Sequence, residues 1–174
     1  KAAVPHFESL QAFWPALQVL AGDVDEAAES FASFFELWRR YRVLPERYDL
    51  QRNVVHPHAA AYPLRPELAE SCYALHRATD DPAYLRAGAA MVANLNAVAR
   101  TPAGFASIKT VLNMAQEDHM TSFFLAETLK YLYLLFDDDN FLNTHAASFV
   151  FTTEGHLLPL KGAFSALAEP EDLP

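Results

Sequence analysis

Arg65, Glu67 and Glu70 are the residues of this sequence whose types and spacing best suit chemistry. They lie in the stretch Tyr62-Pro63-Leu64-Arg65-Pro66-Glu67-Leu68-Ala69-Glu70-Ser71. Pro66 has its φ pre-set for the first position of a helix, where its missing N–H costs nothing. Glu67 then falls in the first turn, beside the positive end of the helix dipole, and Glu70, three residues on, shares its face. Leu68, Cys72 and Leu75 fall on a different face, so the helix can bury one side and present acids on another. Two acids and a guanidinium at one helix start suit acid–base work. The plain alternative is a surface helix whose first acid only complements the dipole.

Glu127 is the other carboxylate with a claim to function. It interrupts the otherwise apolar stretch Ser122–Phe136, and a buried carboxylate without a partner is too costly to be ordinary core. Phe123, four residues earlier, shares its helix face. Other candidates are weaker. His56 and His58 lack acidic or thiolate companions at ligand spacing and read as loop histidines. Asp137-Asp138-Asp139 lacks the alternating oxygen ligands and the glycine of an EF-hand and reads as a solvated turn. Cys72 is the single cysteine of the 174 residues, so no internal disulfide is possible, and its position reads as core.

Composition narrows the function classes. A hydrophobic content of 52% with 20% charged residues is that of a globular chain able to bury a core. A net charge of -9 without a Lys/Arg cluster argues against nucleic-acid or anionic-membrane binding. No apolar run reaches the roughly 18–20 residues of a membrane span, since Glu127 and Lys130 break the longest. Lys1–Pro5 shows no secretory signal pattern, and Asn143-Thr144-His145 fails as a glycosylation sequon.

The elements that must position these residues are mostly helical. Ser9–Leu20 has helical apolar spacing that Pro15 should kink or restart, and Gly22-Asp23 reads as a stop and a cap. Val24–Tyr41 repeats apolar and aromatic residues at i, i+3 and i+4, a stripe that reads as core. Leu44–Ala61 has no apolar period and is expected to be a long loop. The helix opened by Pro66 runs to about Ala78, and Asp81-Pro82 caps the next one, which reaches about Ala99. Ser107–Met114 is of uncertain state, a helix follows from about Met120 to Phe136, and Phe149–Thr153 is the best strand candidate. Helix pairs at Ser9–Tyr41, Pro66–Ala99 and Ser107–Phe136 suggest stacked hairpins, either a solenoid or a closed toroid. In a toroid, loops and helix starts converge at one end of a central cavity, where Glu46, Arg65, Glu67 and the loop before Phe149 would meet. The expected class is all-α, with about three helical hairpins and a short C-terminal β-hairpin-like segment.

Five blocks, in order, resemble glycoside hydrolase family 47, the α-1,2-mannosidases: Ser9–Pro15, Leu44–Glu46, Tyr62–Ser71 (YPLRPELAES), Ser122–Phe136 (SFFLAETLKYLYLLF) and Phe151–Leu160 (FTTEGHLLPL). The wording is most similar to the branch of ER degradation-enhancing α-mannosidase-like proteins. The resemblance implies part of an (α/α)7 barrel plugged by a β-hairpin, with residues 1–165 forming a C-terminal portion of that catalytic domain and 166–174 an acidic tail. It implies a calcium ion at the cavity floor and inverting hydrolysis of terminal α-1,2-linked mannose from N-glycans. It places the protein in the endoplasmic reticulum lumen, trimming high-mannose N-glycans on misfolded glycoproteins and so marking them for degradation. An oxidoreductase of the protein disulfide isomerase type is a further partner to which it points. The runner-up function is a lectin-like protein of the same pathway that binds mannose glycans without cleaving them.

Carried over by position, the resemblance makes Glu67 the general base that activates the attacking water. Arg65 holds the sugar and the neighbouring carboxylates, and Pro66 lines the same pocket. Thr153 supplies hydroxyl and carbonyl oxygens to calcium, with Glu154 beside it on calcium-bound water or sugar. Phe123 is the aromatic floor under the ring and Glu127 a pocket acid, while Glu46 and Glu70 are further acids of the lower cavity. The family's general acid and one more essential carboxylate belong to earlier hairpins outside this sequence. Three positions depart from the family's wording: Thr121 stands where an acid is common, Glu8 where aspartate is usual, and Ala103 where the branch often has a cysteine.

Overall fold

A computed structural model describes residues 5–160. The acidic tail read at 166–174 and the domain limit at 165 lie outside the described residues. The chain opens with β1 (His6–Glu8) and a 3-10 turn at Ser9–Phe13, then α1 (Trp14–Ala21) and α2 (Val24–Tyr41). Pro15 occupies the first turn of α1, so it restarts the helix after the 3-10 turn. Gly22, at φ 93°, ends α1 in the left-handed conformation that favours glycine. Ala27, Phe31 and Trp38 of α2 are buried, so the aromatic stripe is core.

The loop expected over Leu44–Ala61 instead contains β2 (Arg47–Asp49) and β3 (Val54–Val55), which form an antiparallel sheet with β1. Strands this short carry no readable alternation. Their register comes from tertiary packing: Phe7 opposes Tyr48 and Tyr48 opposes Val55, and all three are buried. The sheet places Glu46 at the rim of the strand that precedes the site.

α3 (Glu67–Thr79) is the central helix and packs against α1, α2, α4 (Pro82–Val98) and the later helix over Lys130–Phe136. Pro66 sits at its N-cap, one residue outside the first helical position expected for it. Leu68, Cys72 and Leu75 are buried as the face analysis requires. Buried Ser71 stitches α3 to α1: its hydroxyl donates to the Ala12 carbonyl at 2.6 Å and accepts from the Ala16 N–H at 3.1 Å. At the start of α4, the Asp81 carboxylate accepts from the Ala83 N–H at 2.7 Å, the cap predicted for Asp81-Pro82.

The third helical pair, expected over Ser107–Phe136, contains only one helix. After the small ribbon of β4 (Arg100–Thr101) and β5 (Gly104–Phe105), residues Ser107–Thr110 and Ala115–Glu117 form an antiparallel pair, β6 and β7. Tertiary pairing orders this strand, because Tyr62 and Ile108 exchange both backbone hydrogen bonds at 2.8 Å. The pairing also fixes the chain just before Arg65. The helix of this region, α5, begins with a π-helical turn at Phe124–Leu129 and continues as α-helix over Lys130–Phe136. A one-turn helix, α6 (Phe141–Thr144), follows, and the strand expected at Phe149–Thr153 appears as β8 (Phe149–Phe151), hairpinned with β9 (Leu157–Pro159). Gly88 lets α4 and α5 approach closely, since a Cβ there would lie 2.2 Å from Leu135. The architecture is all-α, with short strands at its edges.

A candidate acidic site where three segments converge

The first wall of the site is the turn from Tyr62 to Pro66. Leu64, fully buried, adopts φ 63°, a left-handed conformation that disfavours a branched side chain and turns the chain sharply before Arg65. The Arg65 guanidinium then forks onto Glu46: Nε donates to Oε1 at 2.5 Å and Nη2 to Oε2 at 2.8 Å. Such planar bidentate pairing fixes orientation as well as charge. The Ser9 hydroxyl adds a third donor to Glu46 at 2.9 Å.

Glu67 opens α3 behind that fork. Its Oε1 lies 3.7 Å from Arg65 Nη1, whereas Oε2 is buried without a hydrogen-bond partner. Burial pushes the Glu67 carboxyl up to about 7, with the charges of Glu127 and Glu46 adding to the rise and Arg65 opposing it. Glu70 is raised to about 7 as well, again chiefly by burial, then by Glu127 and Glu67. Pro66, between Arg65 and Glu67, is buried.

The second wall is the π-helical turn of α5. Glu127 is buried within it, and its carboxyl is also held above the usual range, by burial first and then by the charge of Glu154. π-helical turns are uncommon and concentrate at functional positions. Phe123, immediately before the wide turn, is half-buried and four residues from Glu127.

The third wall is the tip of the β8–β9 hairpin, Thr152–Gly155. A Cβ on Gly155 would sit 2.9 Å from the Ala126 carbonyl oxygen and 3.0 Å from Glu127 Cγ, so the hairpin tip lies directly on the wide turn. Lys130 fastens it by donating from Nζ to the Gly155 carbonyl. Thr153 and Glu154 are exposed at this tip.

The structure thus gathers Glu46, Arg65, Glu67, Glu70 and Glu127, and brings Glu154 and Thr153 to their edge on the hairpin. The His56 and His58 rings lie 6.0 Å from each other, and His58 lines a cavity together with Glu46. Asp138, in the acidic turn, faces His76 at 3.9 Å and Arg77 at 3.8 Å, away from the cluster. Cys72 is buried, and its thiol is pushed up to about 12, which suits an inert core residue.

Four residues contribute to the site in ways the sequence did not assign to them. Lys130, whose charge opposes the rise of Glu127, was visible as the i+3 neighbour of that acid. The hydroxyls of Tyr62, Thr121 and Thr128 were not: they bond the turn carbonyls described below, up to 64 residues away in sequence.

Chemically, the carboxylates outnumber the two cations, and desolvation keeps protons on acids that would ionise in water. Glu67 is therefore poised to exchange a proton near neutral pH. The donors are all oxygen, the set a hard cation such as calcium takes, and one of them, Glu67 Oε2, is buried and unpartnered. Among the described residues no three His, Cys, Asp or Glu side chains gather closely enough to hold a metal ion alone. An ion here would lean on backbone, hydroxyl and water oxygens, which Thr153 and the exposed hairpin tip can offer.

The sequence model described as "Glycosyl hydrolase family 47" matches residues 1–160. An Arabidopsis thaliana protein named "Alpha-mannosidase I MNS5" is 55% identical over 148 residues, covering 85% of this chain and 25% of the relative. The human "ER degradation-enhancing alpha-mannosidase-like protein 3" is 47% identical over 153 residues, 88% of this chain and 16% of that protein. The chain therefore spans about a quarter or less of the length of these relatives. Among solved structures, an "alpha-1,2-mannosidase from Trichoderma reesei" superposes with a TM-score of 0.78 at 25% identity, over 92% of this chain and 40% of that one.

Proposed function

The chain belongs to glycosyl hydrolase family 47, and from that membership we propose that the protein it forms part of removes terminal α-1,2-linked mannose from N-glycans of misfolded glycoproteins in the endoplasmic reticulum lumen. The observation that carries the reading is Glu67: a carboxyl raised to about 7, facing Arg65, with one oxygen buried and free of any partner. A general base needs that poise and that vacant acceptor.

In this reading the Glu67 carboxylate accepts the proton of the water that attacks the anomeric carbon. Inversion requires a second carboxyl group about 6.5–9.5 Å away on the other face of the sugar. That acid is assigned to the portion of the barrel outside this sequence. Arg65, locked to Glu46, keeps positive charge beside Glu67, so the base remains ionisable despite burial. Phe123 offers an apolar surface for the face of the hexose, and Glu70 and Glu127 accept hydrogen bonds from sugar hydroxyls. Thr153, with Glu154 beside it, would hold calcium. When bound, calcium compensates the clustered carboxylates and orients water and sugar oxygens. Placement in the degradation pathway of the endoplasmic reticulum is supported by the names of relatives such as the human protein at 47% identity.

The test uses the full-length protein and an oligomannose glycan, with released mannose and its anomeric configuration followed by NMR. Wild type is expected to release mannose with inversion, and Glu67→Gln to lose about 10²–10⁴-fold in kcat, the usual contribution of a general base. Chelation of calcium should abolish release and added calcium restore it. Release by Glu67→Gln at the wild-type rate refutes the assignment, and calcium-dependent binding without release would favour the lectin-like function.

A further inference from the structure

Three successive carbonyls of the Tyr62–Pro66 turn each accept a side-chain hydroxyl. Thr121 Oγ1 donates to Pro63 at 3.0 Å, Thr128 Oγ1 to Leu64 at 2.8 Å, and Tyr62 OH to Arg65 at 3.2 Å. Side-chain hydroxyls more often bond locally, and a mid-helix threonine ordinarily turns its hydroxyl back to its own helix four residues earlier. Here two threonines, 58 and 64 residues away in sequence, direct theirs across the site to consecutive residues of one turn. The middle residue of that turn is Leu64, at φ 63° and fully buried. A non-glycine residue in this conformation persists only where its surroundings over-determine it, and such residues cluster at functional sites.

The covalent neighbours give this arrangement its consequence. Thr128 directly follows Glu127, and Leu64 directly precedes Arg65, so the single bond between Thr128 and Leu64 joins the two acid-bearing walls. Glu127 and Thr128 are both buried although adjacent in one helix, with Glu127 turned to the acids and Thr128 to the turn. Thr121, on the approach to the same helix, repeats the link one residue earlier in the turn. The strained turn, in its place, aims the Arg65 fork at Glu46 and sets Glu67 at the head of α3.

We infer that Thr128, assisted by Thr121 and Tyr62, is a positioning residue: its hydroxyl, given to the carbonyl of the strained Leu64, holds the Arg65–Glu67 wall in register with Glu127. The inference rests on the mannosidase reading for its effect on turnover, while the geometry it assigns to Leu64 stands independently. It also gives Thr121 a task, as a neutral donor to the Pro63 carbonyl.

The experiment compares Thr128→Val, which keeps the shape and loses the donor, with Thr128→Ser, which keeps the donor, in the full-length protein. Misplacing reacting groups by about an ångström costs on the order of 10²-fold. Thr128→Val is therefore expected to lower kcat for mannose release by about 10- to 100-fold with KM changed less than about threefold, and Thr128→Ser to return kcat to within about threefold of wild type. Hydrogen exchange at the Leu64–Glu67 amides should accelerate in the valine variant and stay slow in the serine variant. Wild-type kcat in Thr128→Val, or a serine variant no better than the valine one, overturns the inference. If Thr128→Val does not fold, Thr121→Val at the rim decides, with a fall in kcat of about 3- to 10-fold expected and an unchanged kcat overturning it. If the wild-type protein releases no mannose, the mannosidase reading fails by itself. Amide exchange then decides the positioning claim: equal protection in wild type and Thr128→Val overturns it.

Discussion

Replacing Arg65 with methionine should drive the Glu67 carboxyl further up. Nη1 of Arg65 lies 3.7 Å from Glu67 Oε1, and the two side chains are only 21% and 13% exposed. At an effective dielectric of about 20, unit charges at that separation interact by about 4.5 kcal/mol. At about 1.4 kcal/mol per pKa unit, removal of the guanidinium would raise Glu67 by up to about three units. Water entering the vacated space screens part of this, while the released Glu46 carboxylate acts in the same direction as the loss of Arg65. A rise of about one to three units from the starting value of about 7 follows. The acid limb of kcat/KM against pH reports the base of the free enzyme. In the full-length protein that limb should lie near 7 and move to higher pH in Arg65→Met. Arg65→Lys keeps the charge but loses the fork, so its limb should stay within about one unit of wild type even where turnover falls. A limb that Arg65→Met leaves in place, or that both variants shift equally, would refute charge compensation as the role of Arg65.

Three further outcomes follow from the same structure. Glu67 and Glu70 are both raised to about 7, so between about 4.5 and 7 the folded protein binds more protons than the unfolded chain and stability must fall as pH rises. Denaturant midpoints at pH 5 and pH 8 should show that fall, and Glu67→Gln with Glu70→Gln should flatten it; a midpoint rising with pH would contradict the burial of these acids. Gly155→Ala forces a side chain into φ 66° with its Cβ 2.9 Å from the Ala126 carbonyl oxygen, and should cost about 2–3 kcal/mol in denaturant unfolding and reduce mannose release together. Full stability in that variant would mean the hairpin does not rest on the wide turn. Asn143 is buried, donating its amide to the carbonyls of Leu134 at 2.8 Å and Asp137 at 2.7 Å and accepting from the Tyr73 hydroxyl at 2.6 Å. Asn143→Ala strands those groups and should cost about 3–4 kcal/mol, measured by urea unfolding.

The helices were legible because their signals are local. Asp81-Pro82 announced a capped start, Gly22 a left-handed stop, and the aromatic stripe of Val24–Tyr41 a buried face, and each of these depends on residues within a turn or two of one another. The short strands were not legible, because nothing in Arg47–Asp49 or Ser107–Thr110 selects a strand until a partner supplies the hydrogen bonds. For Ser107–Thr110 the partners are Ala115–Glu117 and, at Ile108, the distant Tyr62. Pro66 shows the limit of local rules at one-residue resolution: it stands at the N-cap, one residue before the first helical position its fixed φ suggested.

The same contrast orders the site residues by what each would cost if misplaced. A carboxylate inside an apolar helix is so expensive to bury that Glu127 declares a function from sequence alone. The raised carboxyls of Glu67 and Glu70, and the contact of Gly155 with Glu127, then show what surrounds it. A buried threonine carries no such penalty, since its hydroxyl can always turn back on its own helix, so Thr128 reads as filler until its bond to Leu64 is seen. Sequence therefore reveals the groups that carry charge and conceals those that aim them. In this site the concealed set is a row of hydroxyls on three consecutive carbonyls, and its leverage comes from adjacency: moving Leu64 moves Arg65, and moving Thr128 moves Glu127. A substitution that preserves every charge in the cluster but removes one of these hydroxyls is thus expected to impair turnover while leaving the acids in place.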